Sequence, residues 1–438
     1  LFLSLAARHP VPYAAFLNFD ECRILSLSPE LFLESDGRRI FSSPMKGTAK
    51  RSPIPAADRA VAERLAHDEK NRAENLMITD MVRNDLGRVC IPGSITVDPL
   101  LHVDTYGTVH QMISTVHGEL PERVSLFELF SATFPPASIT GAPKVRAMEV
   151  IRRNEKSPRG VYTGCIGVFC PGNVFRLNVA IRTLTVRGTR IETGIGGGIV
   201  ADSTAESEWK EALLKRRYAE IAPPPPFRIF ETVRWSVRDG CADAAAHILR
   251  AVTSQRYFGR PVDPSAIERG LSGIDAELRR KGTENATVKF FLDHRGNIEF
   301  ESGPGRGIWR AVPLRVLVSS DRTDADDVFL HHKTTVREFY HSRLAAARAA
   351  GFDEVIFRNA RGEFTEGSIS NLFIRHGSRW YTPPLRCGLL PGVERAHLLA
   401  SLPAEEKLLF ESDLRSADEM LLCNSVRGSG TVAHLSWN

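Results

Sequence analysis

Four consecutive prolines, Pro223 to Pro226, stand almost at the middle of a chain of 438 residues. A proline ring fixes φ and offers no backbone donor. The run Ala222-Pro223-Pro224-Pro225-Pro226-Phe227 can therefore neither continue a helix nor lie in a central strand. It reads as a polyproline II spacer, spanning on the order of 12 Å at ~3.1 Å per residue. The sequence on its two sides is expected to fold as separate cores, 1–221 and 228–438, joined by a linker at 222–227. Chain length agrees, because single cores stop growing at roughly 250 to 300 residues.

Composition excludes several classes. A 42% hydrophobic and 25% charged content is that of ordinary globular domains, and no apolar run reaches the ~18 residues that span a bilayer. The opening Leu1 to Arg8 is apolar but brief and has no basic flank before it, so it makes a poor signal peptide. A first residue of Leu rather than Met suggests a fragment or a processed start. Seven cysteines, odd in number and never in a C-x-x-C pair, argue for a reducing, cytoplasmic setting and against a zinc site or disulfide framework. A net charge of +5 without a basic block does not imply nucleic acid; a small anionic substrate suits it equally well.

In the first half, apolar and polar residues alternate from Pro12 to Ile40 with a turn at Asp36-Gly37, a strand and hairpin signal. Pro44 to Thr48 then presents Lys46, which taken alone is an ordinary surface charge. Residues 56–86 read as one helix, with Leu76, Met77 and Met81 on its apolar side and Glu74 on a charged stripe, ordinarily the wet face. Strand signals follow at 93–103 and 107–116. Ser125 is positioned to cap a short helix, and Ser138 and Thr140 to cap a second one running to Arg153, whose free amides could hold an anion. Alternation at 160–169, 174–185 and 189–194 leads into Gly194-Ile195-Gly196-Gly197-Gly198-Ile199. With Ile199 where a third glycine belongs and no Gly-Lys-Ser/Thr following, this is neither a dinucleotide fingerprint nor a P-loop. What remains is a backbone able to approach a ligand closely and cradle a carboxylate. Glu208, Glu211 and Lys215 then share one helix face, which spacing alone would assign to a salt-bridged surface.

Taken together, Ser28-Pro29-Glu30, Pro44 to Thr48, Ala73 to Ile78 with Arg83 to Leu86, Ser138 to Lys144, Arg159 to Gly164, Ile181 to Thr183 and the glycine run through Glu211 resemble, in order and spacing, the chorismate-binding enzymes. Within them the likeness is to the aminodeoxychorismate synthases, over roughly residues 1–220. The resemblance implies an anthranilate synthase-like α/β sandwich, short at its N-terminus. It also implies Mg²⁺ held by Glu74, Glu208 and Glu211, where oxygen ligands would let the ion clamp a carboxylate and polarise a departing hydroxyl. Glu30, Thr140, Tyr162, Arg182, Lys215 and the amides of Gly196, Gly197 and Gly198 would bind substrate. Lys46 is the implied covalent nucleophile, which must lose its proton to act. The sequence departs from the pattern at Gln111, where the family commonly carries histidine, and at Asn71, where it carries an acid.

Beyond the prolines, Phe227 to Val237 reads as a strand and Ala244 to Tyr257 as a helix capped by Asp243 and carrying His247 and Arg250 a turn apart. Residues 286–292 and 298–300 read as a hairpin, and 314–319, 353–357 and 370–374 as strands. His331 to Ala350 reads as a helix whose start holds Lys333 against the helix dipole. Leu389 to Arg395 turns into another helix offering free amides. The phrasing of His332 to Arg337, Thr365 to Phe373, Cys387 to Arg395 and Asn424 to Gly428 resembles the fold-type IV pyridoxal-phosphate enzymes, an α+β domain, and among them the aminodeoxychorismate lyases. That resemblance implies that Lys333 carries the cofactor and moves protons and that Glu366 pairs with its pyridine nitrogen. Arg250 and the amides of Val393 and Glu394 would hold its phosphate.

The two resemblances imply an enzyme of 4-aminobenzoate synthesis, in the folate pathway. Its first half would aminate chorismate with ammonia from a separate glutaminase, and its second would eliminate pyruvate, with a homodimer through the second half. Two alternatives stay open: a transaminase in the second half, or a non-catalytic first half that docks a glutaminase.

Overall fold

The computed structural model describes the chain except residues 9, 202, 220–225, 310–312 and 438. The spacer reading of 222–227 falls largely on 222–225, outside the described residues. The chain divides into two compact units, Leu1–Arg51 with Arg59–Pro224 and Ser52–Asp58 with Pro225–Asn438.

In the first unit the early alternation forms four strands. Tyr13–Asn18 and Arg23–Ser28 join Thr183–Arg187 and Arg190–Thr193 in a four-stranded antiparallel sheet. Leu31–Asp36 and Arg39–Ser43, joined through Gly37 at φ +99°, lie at the centre of a six-stranded antiparallel sheet. Lys46 is on the strand Met45–Lys50 of a small third sheet, paired with Val109–Ile113. The stretch expected as one strand over 174–185 breaks before Thr183, where Arg182 takes φ +48°, and its two parts serve different sheets.

The helix expected over 56–86 is two helices, Pro55–His67 and Glu69–Gly87. Asp68 is extended, and its carboxylate accepts the Asn71 amide at 2.9 Å, capping the second helix. That helix packs Ile78, Val82 and Leu86, four residues apart, onto Phe32, Leu33 and Ile40 of the larger sheet. Each such side chain withdrawn from water contributes about 1.5–3 kcal/mol. The apolar face is turned from the one expected: Leu76 and Met77 are exposed, while Asn75 and Thr79 are buried. Ser125 caps Leu126–Thr133 reciprocally with Glu128. Ser138 and Thr140 do not cap a helix. The Thr140 hydroxyl donates to the carbonyls of Pro136 and Ala137, and Lys144–Asn154 starts after Pro143 with no side-chain cap.

In the second unit, Ile229–Ser236 and the hairpin Asn285–Leu292 with Ile298–Pro304 form most of a four-stranded antiparallel sheet. Its core face, with Ile229, Val233 and Trp235, packs on Ala244–Tyr257 and on a helix the sequence reading missed, Pro264–Arg280, through Ile267, Leu271 and Leu278. An eight-stranded mixed sheet follows, with Leu314–Thr323 parallel to both neighbours, Glu354–Asn359 and Gly428–Trp437. The helix expected from His331 to Ala350 is interrupted, since Val328–His331 ends before Lys333 and the next helix is Glu338–Ala349. Lys333 instead lies in an extended link whose carbonyl accepts the Phe230 amide at 3.0 Å, so the helix-dipole argument does not apply to it. Asp243 stands before its helix in the left-handed region, φ +53°, and makes no capping bond. Among the described residues no helix is long and apolar enough to cross a membrane.

Candidate active sites

The first site gathers where the Lys46 strand, the Glu74 helix, the glycine run and the helix Ala205–Arg216 meet. The Lys46 amine lies 3.8 Å from a Glu74 carboxylate oxygen. Asn75, buried beside Glu74, holds the two elements together. Its amide donates to the carbonyls of Lys46 (3.2 Å) and Met112 (3.0 Å), and its oxygen accepts from Ser114 Oγ at 2.5 Å. Glu30 is buried next to this strand. Burial raises its pKa to about 7, against the lowering pull of Ser138, the Met45 amide and the charge of Lys46.

The glycine run closes over these groups. A Cβ at Gly198 would fall on the Lys46 amine, and one at Gly197 would lie 2.7 Å from Glu208 Oε2 and 3.7 Å from Glu211 Oε1. Tyr162 lies against Gly194, with its hydroxyl near Gly196. Lys215 forms an ion pair with Glu211 at 2.6 Å and donates to the Gly196 carbonyl at 3.2 Å. Arg182 sits at the strand break, and burial lowers its pKa against the phenols of Tyr218 and Tyr106. Thr140 has its hydroxyl committed to backbone carbonyls.

Among the described residues no three His, Cys, Asp or Glu side chains gather closely enough to hold a metal ion. The expected set of Glu74, Glu208 and Glu211 is thus a close pair plus a glutamate held by Lys46. The pair fits Mg²⁺, which takes one or two carboxylates and fills its shell with water and substrate oxygens. Glu208 Oε1 accepts from Ser203 Oγ at 2.6 Å, whereas the buried Oε2 has no hydrogen-bond partner.

The second site is a cavity of about 270 Å³ lined by Lys333, Glu366, Arg250, Gly392 and Val393, with Arg337 and Arg427 also on its wall. Burial, then the charges of Arg337 and Arg250, lower the Lys333 pKa to about 7. The amine lies 5.0 Å from the centre of the Phe230 ring. Glu366 is buried, and burial raises its pKa to about 7 against the pull of Arg337. Its oxygens accept from Tyr340 Oη (3.0 Å), the Leu390 amide (3.0 Å) and Asn371 Nδ2 (3.3 Å). A buried amine and a buried carboxyl facing one cavity, with a helix start at Gly392–Val393 in its wall, fit a planar anionic cofactor such as pyridoxal phosphate. The Glu394 side chain is directed to His397, 3.9 Å away. Val393 and Glu394 open the helix Val393–Ser401, after Gly392.

Arg250 is bound from behind. Its Nε and Nη2 donate to Glu231 at 2.7 and 2.6 Å, and its Nη1 to the Pro391 carbonyl at 3.0 Å. His247 Nδ1 completes the cluster, 2.7 Å from Glu231. Sequence reading missed Glu231, although a signal existed. It stands in phase with Ile229, Val233 and Trp235, an acid in a core register that requires a cation partner. Ser203 and Tyr340 were missed with no comparable signal, and Asn75, inside the motif run Ala73 to Ile78, was not singled out from it.

Residues 1–219 match the family model described as chorismate binding enzyme, and residues 228–435 that described as amino-transferase class IV. The chain belongs to the chorismate binding enzyme family, and a class IV amino-transferase domain, which implies pyridoxal phosphate, follows in the same chain. Aminodeoxychorismate synthase component 1 of Escherichia coli (strain K12) is 46% identical over 216 residues, covering 49% of this chain and 47% of that protein. The chain spans about a quarter to about half the length of the curated relatives it matches. Among solved structures, anthranilate synthase component I from Streptococcus pneumoniae TIGR4 is 32% identical, with TM-score 0.45 over 49% of this chain and 48% of that one. A branched-chain aminotransferase from Thermoproteus uzoniensis with norvaline is 22% identical, with TM-score 0.44 over 48% of this chain and 78% of that one.

Proposed function

We propose that the chain makes 4-aminobenzoate in two steps: amination of chorismate by the first unit, then elimination of pyruvate from aminodeoxychorismate by the second. The carrying observation is that one chain holds Lys46 beneath Gly198 beside Glu74 in its first unit and a buried Lys333 and Glu366 on one cavity in its second. Consecutive reactions account for that pairing better than two unrelated ones. In the first site Lys46 is the nucleophile at the ring and Glu30 a buried carboxyl able to exchange a proton near it. Glu208 and Glu211 would hold Mg²⁺ as a pair, with Glu74 against Lys46, and the ion would fix a substrate carboxylate and polarise the departing hydroxyl. Tyr162, Arg182, Lys215 and the backbone of Gly196 to Gly198 would orient the substrate, whereas Thr140, its hydroxyl proton spent on backbone carbonyls, could serve only as an acceptor.

In the second site pyridoxal phosphate, when bound, supplies an electron sink. Lys333 would hold it and move protons, Glu366 would pair with its ring nitrogen, and Arg250 with the amides of Val393 and Glu394 would bind its phosphate. Lys289, Arg306, Arg337, Arg348 and Arg427 line the same cavity, where Glu366 is the one acid among the described residues of its wall, which suits a substrate with two carboxylates. Ammonia would come from a separate glutaminase, in a cytoplasmic setting, and domain limits near 221 and 228 are part of this reading. The test is whether the purified chain, given chorismate, Mg²⁺, ammonium and pyridoxal phosphate, forms 4-aminobenzoate and pyruvate in equal amounts. Amino transfer to a keto acid without pyruvate release would replace the lyase half of the reading.

A further inference from the structure

Glu354 lies on the strand Glu354–Asn359, is fully buried and does not line the cavity. Its carboxylate is occupied by the turn that follows Glu366. Oε1 accepts the Ser368 amide at 3.1 Å, a proton shared with the Val355 carbonyl, and the Val355 amide at 2.9 Å. Oε2 accepts the Ile369 amide at 3.1 Å and Ser370 Oγ at 2.9 Å. The turn is closed by the Gly367 amide on the Ser370 carbonyl at 2.7 Å. From its other side, Arg337 donates to the Ser368 carbonyl at 2.6 Å and Asn424 to the Ile369 carbonyl at 3.0 Å.

Glu366 and Asn371 flank this turn as a paired couple, and Ile369 and Ser370 form cavity wall. Packing beneath the turn is close. A Cβ at Gly367 would run into Ser370 Oγ and come within 3.1 Å of the Glu354 carboxyl carbon. A carboxyl that accepts from this many donors beneath a turn fixes where both of its ends stand.

We propose that Glu354 is a positioning residue for the second site, setting the placement of Glu366 and of the Ile369–Ser370 wall through the Gly367–Asn371 turn. The proposal rests on the reading of that cavity as a pyridoxal-phosphate site. Glu354→Gln keeps size and shape but turns an NH₂ toward donors, so one amide of the turn loses its acceptor.

In the apo protein, the Ile369 amide of E354Q is expected to exchange with solvent about tenfold faster, a change confined to the turn. In the loaded protein, the pH midpoint of the bound cofactor's absorbance band shifts by about half a unit or more, and kcat for pyruvate release falls about tenfold with little change in KM. Leu278→Ala, in the core under the other sheet, lowers Tm without moving the band or kcat. Ser370→Ala removes one of the bonds to Glu354 and gives a smaller shift in the same direction, which decides the matter should E354Q fail to fold. An E354Q or S370A protein that loses Tm as L278A does, with band and kcat unmoved, overturns the proposal. A wild-type chain that binds no pyridoxal phosphate would instead overturn the cofactor reading, while the exchange result would stand on its own.

Discussion

The amine of Lys46 lies 3.8 Å from a carboxylate oxygen of Glu74, and the residue next to that glutamate, Asn75, bonds the Lys46 carbonyl. One helix therefore supplies both the charge beside the lysine and the clip that fixes its backbone. Removing the nucleophile should be decisive. Lys46→Ala is expected to lower ammonia-dependent chorismate consumption on the order of 10³-fold or more while leaving Tm nearly unchanged, since the side chain is not in the core. Consumption within a few fold of wild type would show that Lys46 does not react with the ring.

The glycine run gives a sharper test of geometry. A methyl at Gly198 meets the far end of Lys46, a flexible chain that can move aside, so Gly198→Ala is expected to fold with a Tm within a few degrees of wild type. Displacing the amine by about 1 Å should nonetheless cost on the order of 10²-fold in kcat for chorismate consumption. Wild-type kcat in G198A would mean that the run does not confine the lysine.

Glu208 and Glu211 are argued to hold Mg²⁺ as a pair, and Glu208 Oε2 is a buried oxygen without a partner. Glu208→Gln is expected to raise the Mg²⁺ concentration for half-maximal chorismate consumption by about 10- to 100-fold. Ser203→Ala, which removes the 2.6 Å bond that orients Glu208, should produce a smaller rise. An unchanged Mg²⁺ dependence in E208Q would remove Glu208 from the ion's shell.

Much of this architecture was legible in the sequence, and the failures share a cause. Alternation marked Arg39–Ser43 and Ile229–Ser236, which each bury one face, whereas Leu31–Asp36 and Asn285–Leu292 are buried at almost every position and were marked by their apolar content and flanking turns. Helix limits were read less well where a single residue overrode periodicity. Asp68 divided one expected helix by capping the next, and Lys333 was placed on a helix although its link pairs with the strand at Phe230. The first was a local cap signal outweighed by the apolar periodicity around it, whereas the second depends on a distant partner. Residues announced by motifs, such as Lys46, Glu366 and the glycine run, lie in the two candidate sites. Those that act behind these residues, Asn75, Ser203 and Glu354, look in sequence like ordinary polar residues and show their role only through their hydrogen bonds. Glu231 is the intermediate case, visible as an acid in a core register.

Burial alone would raise the pKa of Glu231, but the charge of Arg250 and bonds from His247 and Arg250 outweigh it and bring the value down to about 2, from an ordinary 4.5. A carboxyl depressed in the folded state stabilises it fully above pH 4.5, and that contribution is lost as pH falls toward 2. Glu231→Gln should flatten the acid limb of stability. It should also cost about 3 kcal/mol at pH 7, because a buried guanidinium loses its counter-charge. Pyridoxal phosphate should bind about tenfold more weakly once Arg250 is free to turn. Urea unfolding of the apo protein and cofactor titration measure the two effects separately; an unaltered cofactor affinity would confine Glu231 to stability.

Lys333 and Glu366 shift in opposite senses, with a consequence for the apo protein that no loaded-enzyme assay is needed to see. Burial lowers the lysine to about 7 from 10.5 and raises the glutamic acid to about 7 from 4.5. Between pH 4.5 and about 7, folded Glu366 keeps a proton that the unfolded chain has released, so stability falls as pH rises. Between about pH 7 and 10.5, the unfolded chain holds a proton that folded Lys333 has released, so stability rises. The second unit is therefore expected to pass through a stability minimum near neutral pH, each limb on the order of 3 to 5 kcal/mol at 1.36 kcal/mol per pKa unit. Four of the five tryptophans, Trp235, Trp309, Trp380 and Trp437, lie in this unit, so urea midpoints followed by tryptophan fluorescence from pH 4 to 10 report on it. Glu366→Gln should remove the falling limb and Lys333→Met the rising one. A rising limb that persists in K333M would mean that the lysine is not the buried neutral amine on which the cofactor reading depends.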